Sequence, residues 1–393
     1  MEILKKITIL ICAINILGNE VQSSKLLLIL MDGFRWDYID LPDVPLPGFQ
    51  QMFREGVRAK YMVSDFPTTS YPNYYSIMTG LHCENHGFVG NYMYDVATGK
   101  EFLIGGNQDM SLPIWWDDGE PLWVTAEKQD KSSYLYYWSG CEVTIRGVNP
   151  TYCKAWTVPT YSADLTTALS EGLQLFKNNS ADLVGIYLQS VDRYGHMYGA
   201  ASDKVKDSLR AVDIVMHDML SNLSSIGLRD KVNIMIFSDH GMVNRTRVVN
   251  LTSHLDPDDC VEILPEMNTI GIWPKPGKTD KSKNPEIDQY VSGPMIGMHG
   301  FDTSNEEMRA FFAASGPAFK KNVVHRPIRN VELYQIMCHI LGIKPAPNNG
   351  TWSNVKDMLN LGVSSATKSN IDVSVMTSFS VVIFFQCILF FQF

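Results

Sequence analysis

The 393-residue chain is 45% hydrophobic and 19% charged, apolar enough for one large domain with a substantial core and unlike a disordered tail. Its formal charge of -9 excludes the basic footprint by which proteins neutralise a polyanion, so nucleic acid is not expected as a partner. A small anion held in a metal site remains compatible with that charge.

At the amino end, Lys5 and Lys6 precede an apolar run from Ile7 to Leu17, and Val21 and Ser23 supply small residues before a cleavage point. This is the pattern of a secretory signal peptide over residues 1–23, with a mature chain from near Ser24. Three continuous apolar runs then read as buried parallel strands, each closing on an aspartate: Lys25 to Asp32, Asp182 to Asp192 and Lys231 to Asp239. Between them, Ser162 to Lys177 and Lys204 to Ile226 repeat apolar residues at three and four, the helical period. Strands alternating with helices predict an α/β fold with a mostly parallel sheet and one catalytic domain over 24–362.

Beyond that domain, Gly362 to Asn370 is small and polar, and Val373 to Phe393 is apolar with no basic residue after it. A stop-transfer helix normally leaves Lys or Arg on its far side. The preferred reading of 363–393 is a GPI-anchor signal with attachment around Ser364 to Ala366, giving an extracellular, membrane-anchored protein. Glycosylation sequons at Asn178, Asn222, Asn244, Asn250 and Asn349 agree with export. Of the cysteines outside the removable segments, Cys141 and Cys153 flank a short Gly/Pro-containing loop and are the expected disulfide; Cys83, Cys260 and Cys338 remain.

In open α/β sheets ligands bind at the carboxyl edge of the strands, so Asp32, Asp192 and Asp239 are expected to converge there. His196 lies four residues after Asp192, and His240 directly follows Asp239. Oxygen and nitrogen donors in this combination suit zinc. His299, in the glycine-rich "GMHGFD", is a further candidate, whereas His82, His86, His217, His254, His325 and His339 are read as ordinary core or surface residues. In "DFPTTSYPNYYSIMTG" the hydroxyls of Thr68, Thr69 and Ser70 stand before Pro72. Proline favours a first helical turn, which would set Ser70 near positive backbone dipoles.

The motifs "LMDGFRWDYI", "DFPTTSYPNYYSIMTG", "GNYMYD", "VDRYGHMYG", "FSDHGM" and "GMHGFD" stand in the order seen in ectonucleotide pyrophosphatase/phosphodiesterases. The chain therefore resembles that family of the alkaline phosphatase superfamily across most of 25–360. "LPIWWDDGEPLWVTAEK", "YYWSGCEV" and "NPTYCKAW" make it look most like the choline-specific branch. The resemblance implies an alkaline-phosphatase-like sheet with helices on both faces and two zinc ions. One would sit on Asp192, His196 and His299, the other on Asp32, Asp239, His240 and the nucleophile Ser70. Asn91 would hydrogen-bond a phosphate oxygen.

The implied reaction is hydrolysis of glycerophosphocholine and lysophosphocholine lipids to phosphocholine through a phosphoserine intermediate. Zinc would assist by lowering the pKa of an oxygen nucleophile. A choline head group needs aromatic faces, for which Tyr71, Trp156, Tyr161 and Tyr187 are candidates, Tyr187 preferred because it precedes Asp192 on the same predicted strand. The alternatives are a nucleotide pyrophosphatase/phosphodiesterase using the same metals, or a catalytically impaired surface binding protein. A sulfatase is disfavoured because Ser70-Tyr71-Pro72-Asn73-Tyr74 lacks the arginine of the C/S-x-P-x-R pattern. Expected partners are a small phosphodiester or lysophospholipid substrate, the membrane through its anchor, and a second copy in a homodimer. One departure from the family pattern is a short stretch between His240 and His299, which makes the position of His299 the feature to check.

Overall fold

The computed structural model describes residues 25–361, apart from 106, 157–158, 247–255, 267–268 and 278–294. The signal-peptide and anchor segments, Asn250 and the charged stretch before His299 lie outside the described residues.

Eight strands make the central sheet: β1 Lys25–Met31, β2 Gly56–Ala59, β3 Ser133–Tyr136, β4 Tyr152–Lys154, β5 Leu183–Leu188, β6 Val232–Phe237, β7 Phe312–Ser315 and β8 Val323–His325. Their spatial order is β8-β2-β7-β6-β1-β5-β3-β4. All neighbours are parallel except those of β7, which runs antiparallel to both β6 and β2. The predicted α/β class with a mostly parallel sheet is therefore the observed one. Every residue of β5 and β6, and all of β1 after Lys25, is buried. Such strands need cover on both faces, which explains why they read as unbroken apolar runs rather than as alternating ones. Burying each Leu or Ile of these runs contributes about 1.5–3 kcal/mol.

The helices that matter here are α1 Pro47–Glu55, α2 Ser70–Thr79, α3 Ser162–Lys177, α4 Ser190–Tyr198, α5 Asp203–Ser225 and α6 Leu333–Leu341. Helix α3 has the limits expected from its periodicity, and α5 is displaced by one residue at each end. The start of α5 is set by Ser202, whose side chain accepts from the Val205 amide at 3.3 Å. Its buried stripe, Val205, Leu209, Val212, Met216, Leu220 and Leu223, follows the three-and-four spacing.

One strand reading is corrected. β5 ends at Leu188, and Asp192 stands in the first turn of α4 rather than at a strand end. Gln189 already has helical angles, φ -96 and ψ -14, so the polar Gln189-Ser190 pair closes the apolar run. The four-residue spacing of Asp192 and His196 then belongs to a helix. Helix α2 begins at Ser70 with Pro72 in its first turn, where a missing N–H removes no intrahelical bond. It stops at Gly80, whose φ of 68 is left-handed and whose N–H bonds Ser76 O at 2.8 Å.

Candidate metal centre

Three adjacent strands, β6, β1 and β5, end level with one another. Met31 pairs with Leu188, and Leu30 with Phe237. The residues that follow therefore emerge at one edge: Asp32 after β1, α4 after β5, and Asp239 with His240 after β6. Gly33 lets them approach. Its φ is 65, its N–H donates to Asp239 Oδ1 at 3.1 Å, and a Cβ there would lie 2.9 Å from the Asp192 Cα. His299 arrives on a short strand at Gly297–Met298, in which Met298 pairs with Val243 just beyond the β6 loop. A Cβ on Gly297 would stand 2.2 Å from Gly195 O, so this segment also needs glycine to lie against α4. The short stretch before it does not keep His299 from the site.

Two groups result, Asp32 with Asp239 and His240, and Asp192 with His196 and His299; within each, the potential donor atoms lie within 4.8 Å of one another. In the first, His240 Nε2 is 3.0 Å from Asp239 Oδ2 and 3.4 Å from Asp32 Oδ1. In the second, Asp192 Oδ1 is 3.3 Å from His196 Nε2 and 3.6 Å from His299 Nε2. The rings of His240 and His299 stack with centroids 3.5 Å apart, which joins the groups. A third set with donor spacing, Cys141, Glu142 and Cys153, is not comparable, because its cysteines form the expected disulfide.

The imidazoles share one arrangement. Nδ1 of His196, His240 and His299 faces the carbonyl oxygen of Gly297, Gly241 and Thr68 at 2.8, 2.8 and 3.0 Å. A carbonyl only accepts, so Nδ1 carries the proton and each Nε2 lone pair is turned into the cluster, the tautomer a metal ligand requires. Nε2 of His196 and Nε2 of His299 are 3.2 Å apart. Two lone pairs at that distance call for a cation between them.

The carboxylates make the same demand. Asp32 Oδ1, Asp192 Oδ1 and Asp239 Oδ2 are buried without a hydrogen-bond partner, a costly condition for charged oxygen. Burial, then the neighbouring Asp239 and Asp192, push the Asp32 carboxyl well above the usual carboxylate range. Burial opposes protonation of His240, yet Asp239 and Asp32 carry its imidazole up to about 10, so that without a metal a proton takes the place on Nε2 that a cation would fill. Burial also disfavours charge on Asp192, but His196 and His299 hold it below the ordinary range. Unpartnered oxygens, inward lone pairs and crowded like charges all fit divalent cations with O and N donors.

Ser70 lies beside both groups. Its Oγ is 3.3 Å from His240 Nε2. The two threonines differ from it: Thr68 donates its hydroxyl to Phe301 O at 2.8 Å, and Thr69 Oγ1 is buried without a partner at the position preceding α2. Asn91 Oδ1 accepts the Tyr71 N–H at 2.8 Å, which ties the "GNY" segment to the residue after Ser70. Tyr187, expected as a wall for a substrate head group, lines the site but gives its hydroxyl to Asp32 Oδ2. Tyr74 does the same and was not singled out from sequence. Its spacing of four from Ser70 on α2 is the signal that the two share a helical face.

These residues open into a cavity of about 550 Å³ that Tyr71, Tyr74, Trp156 and Tyr187 also line. Tyr161 is absent from that lining; its ring packs on Tyr194. Among the described residues, no helix is long and apolar enough to cross a membrane.

Comparison with known proteins agrees with this chemistry. The model of the type I phosphodiesterase / nucleotide pyrophosphatase family matches residues 26–310. The chain is 34% identical over 390 residues to the bis(5'-adenosyl)-triphosphatase ENPP4 of Bos taurus, covering 87% of this chain and 84% of that protein. It is 30% identical to the venom phosphodiesterase of Naja atra, of which it covers 46%. Murine ectonucleotide pyrophosphatase / phosphodiesterase 5 superimposes with a TM-score of 0.78 at 29% identity, over 85% of this chain and all 100% of that one. An inactive variant of the same murine protein was solved in complex with AMP, again with a TM-score of 0.78. A carboxyl-edge cluster of candidate metal donors on this sheet and relatives that match along nearly the whole domain lead to one assignment: the chain belongs to the ectonucleotide pyrophosphatase/phosphodiesterase family, phosphoric diester hydrolases of the alkaline phosphatase superfamily.

Proposed function

We propose that the protein is a zinc-dependent nucleotide pyrophosphatase/phosphodiesterase that uses Ser70 as its nucleophile. The carrying observation is the position of Ser70 Oγ, 3.3 Å from His240 Nε2 at the first residue of a buried helix, beside two clusters of inward-facing donors. Zinc ions would be held by Asp32, Asp239 and His240 and by Asp192, His196 and His299, and would supply Lewis-acid stabilisation of charge on the reacting oxygens.

The chain's own groups do the rest. Ser70 Oγ forms the new P–O bond as the bond to the leaving oxygen breaks, and its proton passes to solvent. Water then attacks the phosphoserine, releasing a phosphate monoester and restoring the hydroxyl. The α2 N-terminus places backbone dipoles beside this charge. Tyr74 and Tyr187 orient Asp32 through its Oδ2. Asn91, its Oδ1 held by the Tyr71 amide, lines the cavity where the family resemblance has it meet a phosphoryl oxygen.

Nucleotide substrates fit better than choline lipids. The ENPP4 relatives are bis(5'-adenosyl)-triphosphatases, and the inactive murine variant holds AMP. The aromatic faces of Tyr71 and Trp156 that suggested a choline cage serve equally as surfaces for a nucleobase. Export through the secretory pathway is supported by the disulfide and by exposed sequons at Asn178, Asn222 and Asn349; the glycolipid anchor and a homodimer stay proposals from sequence. The deciding assay offers the purified chain p-nitrophenyl thymidine 5'-monophosphate and glycerophosphocholine. Release of nucleoside monophosphate with glycerophosphocholine left intact is expected. Phosphocholine release with nucleotides untouched would restore the choline reading, and absence of both turnover and bound metal would favour a binding protein.

A further inference from the structure

Helix α4 presents more to the cavity than metal donors. Gln189, Asp192, Arg193, His196 and Met197 all line it, a spacing of three and four that defines one helical face. Asp192 and His196 belong to the metal group. Gln189 and Arg193, one turn apart, form the stripe beside it. Among the described residues, Arg193 is the one Lys or Arg in the cavity lining.

Both side chains lack what such groups ordinarily have. Arg35, Arg146, Arg229 and Arg309 each face a carboxylate. Among the described residues, half-buried Arg193 has neither an ion pair nor a side-chain hydrogen bond. Gln189 Oε1 is buried and also without a partner. Two adjacent polar side chains left unsatisfied beside a reaction centre are the mark of a subsite whose occupant comes from outside.

We infer that Gln189 and Arg193 bind a second phosphate of the substrate, next to the one attacked by Ser70, and so select phosphoanhydride chains over diesters with a single phosphorus. A guanidinium presents a planar fork of donors that matches phosphate oxygens, and the Gln189 amide, whose Oε1 can only accept, adds a donor through Nε2 once the amide is turned over. A quaternary ammonium has the wrong sign for this stripe. A singly charged diester leaves it unused. The inference rests on the nucleotide reading of the site and narrows it to nucleotides with two or more linked phosphates.

The test measures kcat and KM of the wild type and of Arg193→Ala, Arg193→Lys and Gln189→Ala. Substrates are diadenosine triphosphate and p-nitrophenyl thymidine 5'-monophosphate, and bound metal is measured in parallel. The ratio of kcat/KM for the triphosphate to that for the diester is expected to fall about 10- to 100-fold in Arg193→Ala, the range for a lost hydrogen bond to a charged group. Arg193→Lys should recover part of the ratio, and Gln189→Ala should lower it less. An unchanged ratio, or equal loss on both substrates, overturns the inference. A wild type that cleaves the diester but not diadenosine triphosphate removes the second-phosphate subsite while leaving the nucleotide reading in place. One that cleaves neither removes both.

Discussion

Two Asp/His clusters flank helix α2, and only one of them is built for a metal. At its start, the carboxylates of Asp32, Asp192 and Asp239 each keep a buried oxygen unpartnered, and three imidazoles turn Nε2 inward. Further along, Asp65, Ser76, His82, Cys83 and His86 make a second cluster in which the hydrogen bonding closes on itself. Asp65 Oδ2 accepts from the Cys83 amide at 3.2 Å and from Ser76 Oγ at 3.3 Å, and lies 2.9 Å from His82 Nδ1. The Phe88 amide donates to His86 Nδ1 at 3.2 Å, so His86 carries its proton on Nε2, 2.9 Å from Ser76 Oγ. A histidine that donates to the serine cannot take its proton, so this Ser-His-Asp set is a structural brace, not a nucleophile. The residue types are the same in the two places; what separates them is whether the protein satisfies its own polar atoms.

The sharpest way to break that comparison is at the three hydroxyls that lead into α2. Ser70→Ala should lower kcat/KM on a nucleotide diester by at least about 10³-fold with an unchanged circular dichroism spectrum, whereas Thr68→Ala and Thr69→Ala keep measurable turnover. A fully active Ser70→Ala protein would remove the nucleophile assignment.

A second pair of changes sets stability against metal content. Asp32→Asn takes one charge from three crowded carboxylates. It should raise the Tm of the metal-free protein while cutting bound zinc from about two to one per chain. Asp65→Asn should do the reverse, costing about 1–3 kcal/mol as a closed network loses its acceptor, with metal content unchanged. If Asp32→Asn lowered the Tm of the metal-free form instead, the first cluster would be an ordinary structural network.

The last expected effect is of similar size and appears only on changing the pH. Burial lowers the His86 pKa from 6.5 to about 4. The unfolded chain therefore binds a proton at this residue before the folded one does. The neutral ring's contribution is fully present above pH 6.5 and is lost as the pH falls towards 4. Between pH 7 and 5 the loss is on the order of 2 kcal/mol. Chemical denaturation of wild type and His86→Gln at both pH values reads it, since only the difference between their pH slopes belongs to His86. Equal slopes would mean that the ring is not held neutral.

The amino-acid pattern was informative where a property repeats along the chain or follows from residue type. Unbroken apolar runs marked β1, β5 and β6 because these strands are covered on both faces. The three-and-four spacing marked α3 and α5. Asp or His at the end of each run marked most of the candidate metal donors, and the Cys141–Cys153 pair followed from a short loop. The sequence pattern failed where local continuity was broken: Asp192 moved from a strand end into α4 because a strand can stop a few residues before its last apolar side chain. Tyr187 lines the cavity as expected of a wall, but the partner of its hydroxyl, Asp32, is remote in sequence and had no local signal.

By itself, then, the sequence determined the α/β class, the strands that carry the site and most of the residues that make it, because those rest on periodicity and chemical type. Only the tertiary structure separated the metal-type cluster from the brace around Asp65. It alone brought His299 to His196, assigned Tyr74 and Tyr187 to Asp32, and left Gln189 and Arg193 without partners. Whether a buried polar atom is satisfied depends on groups that meet only after folding, and no local pattern carries that information.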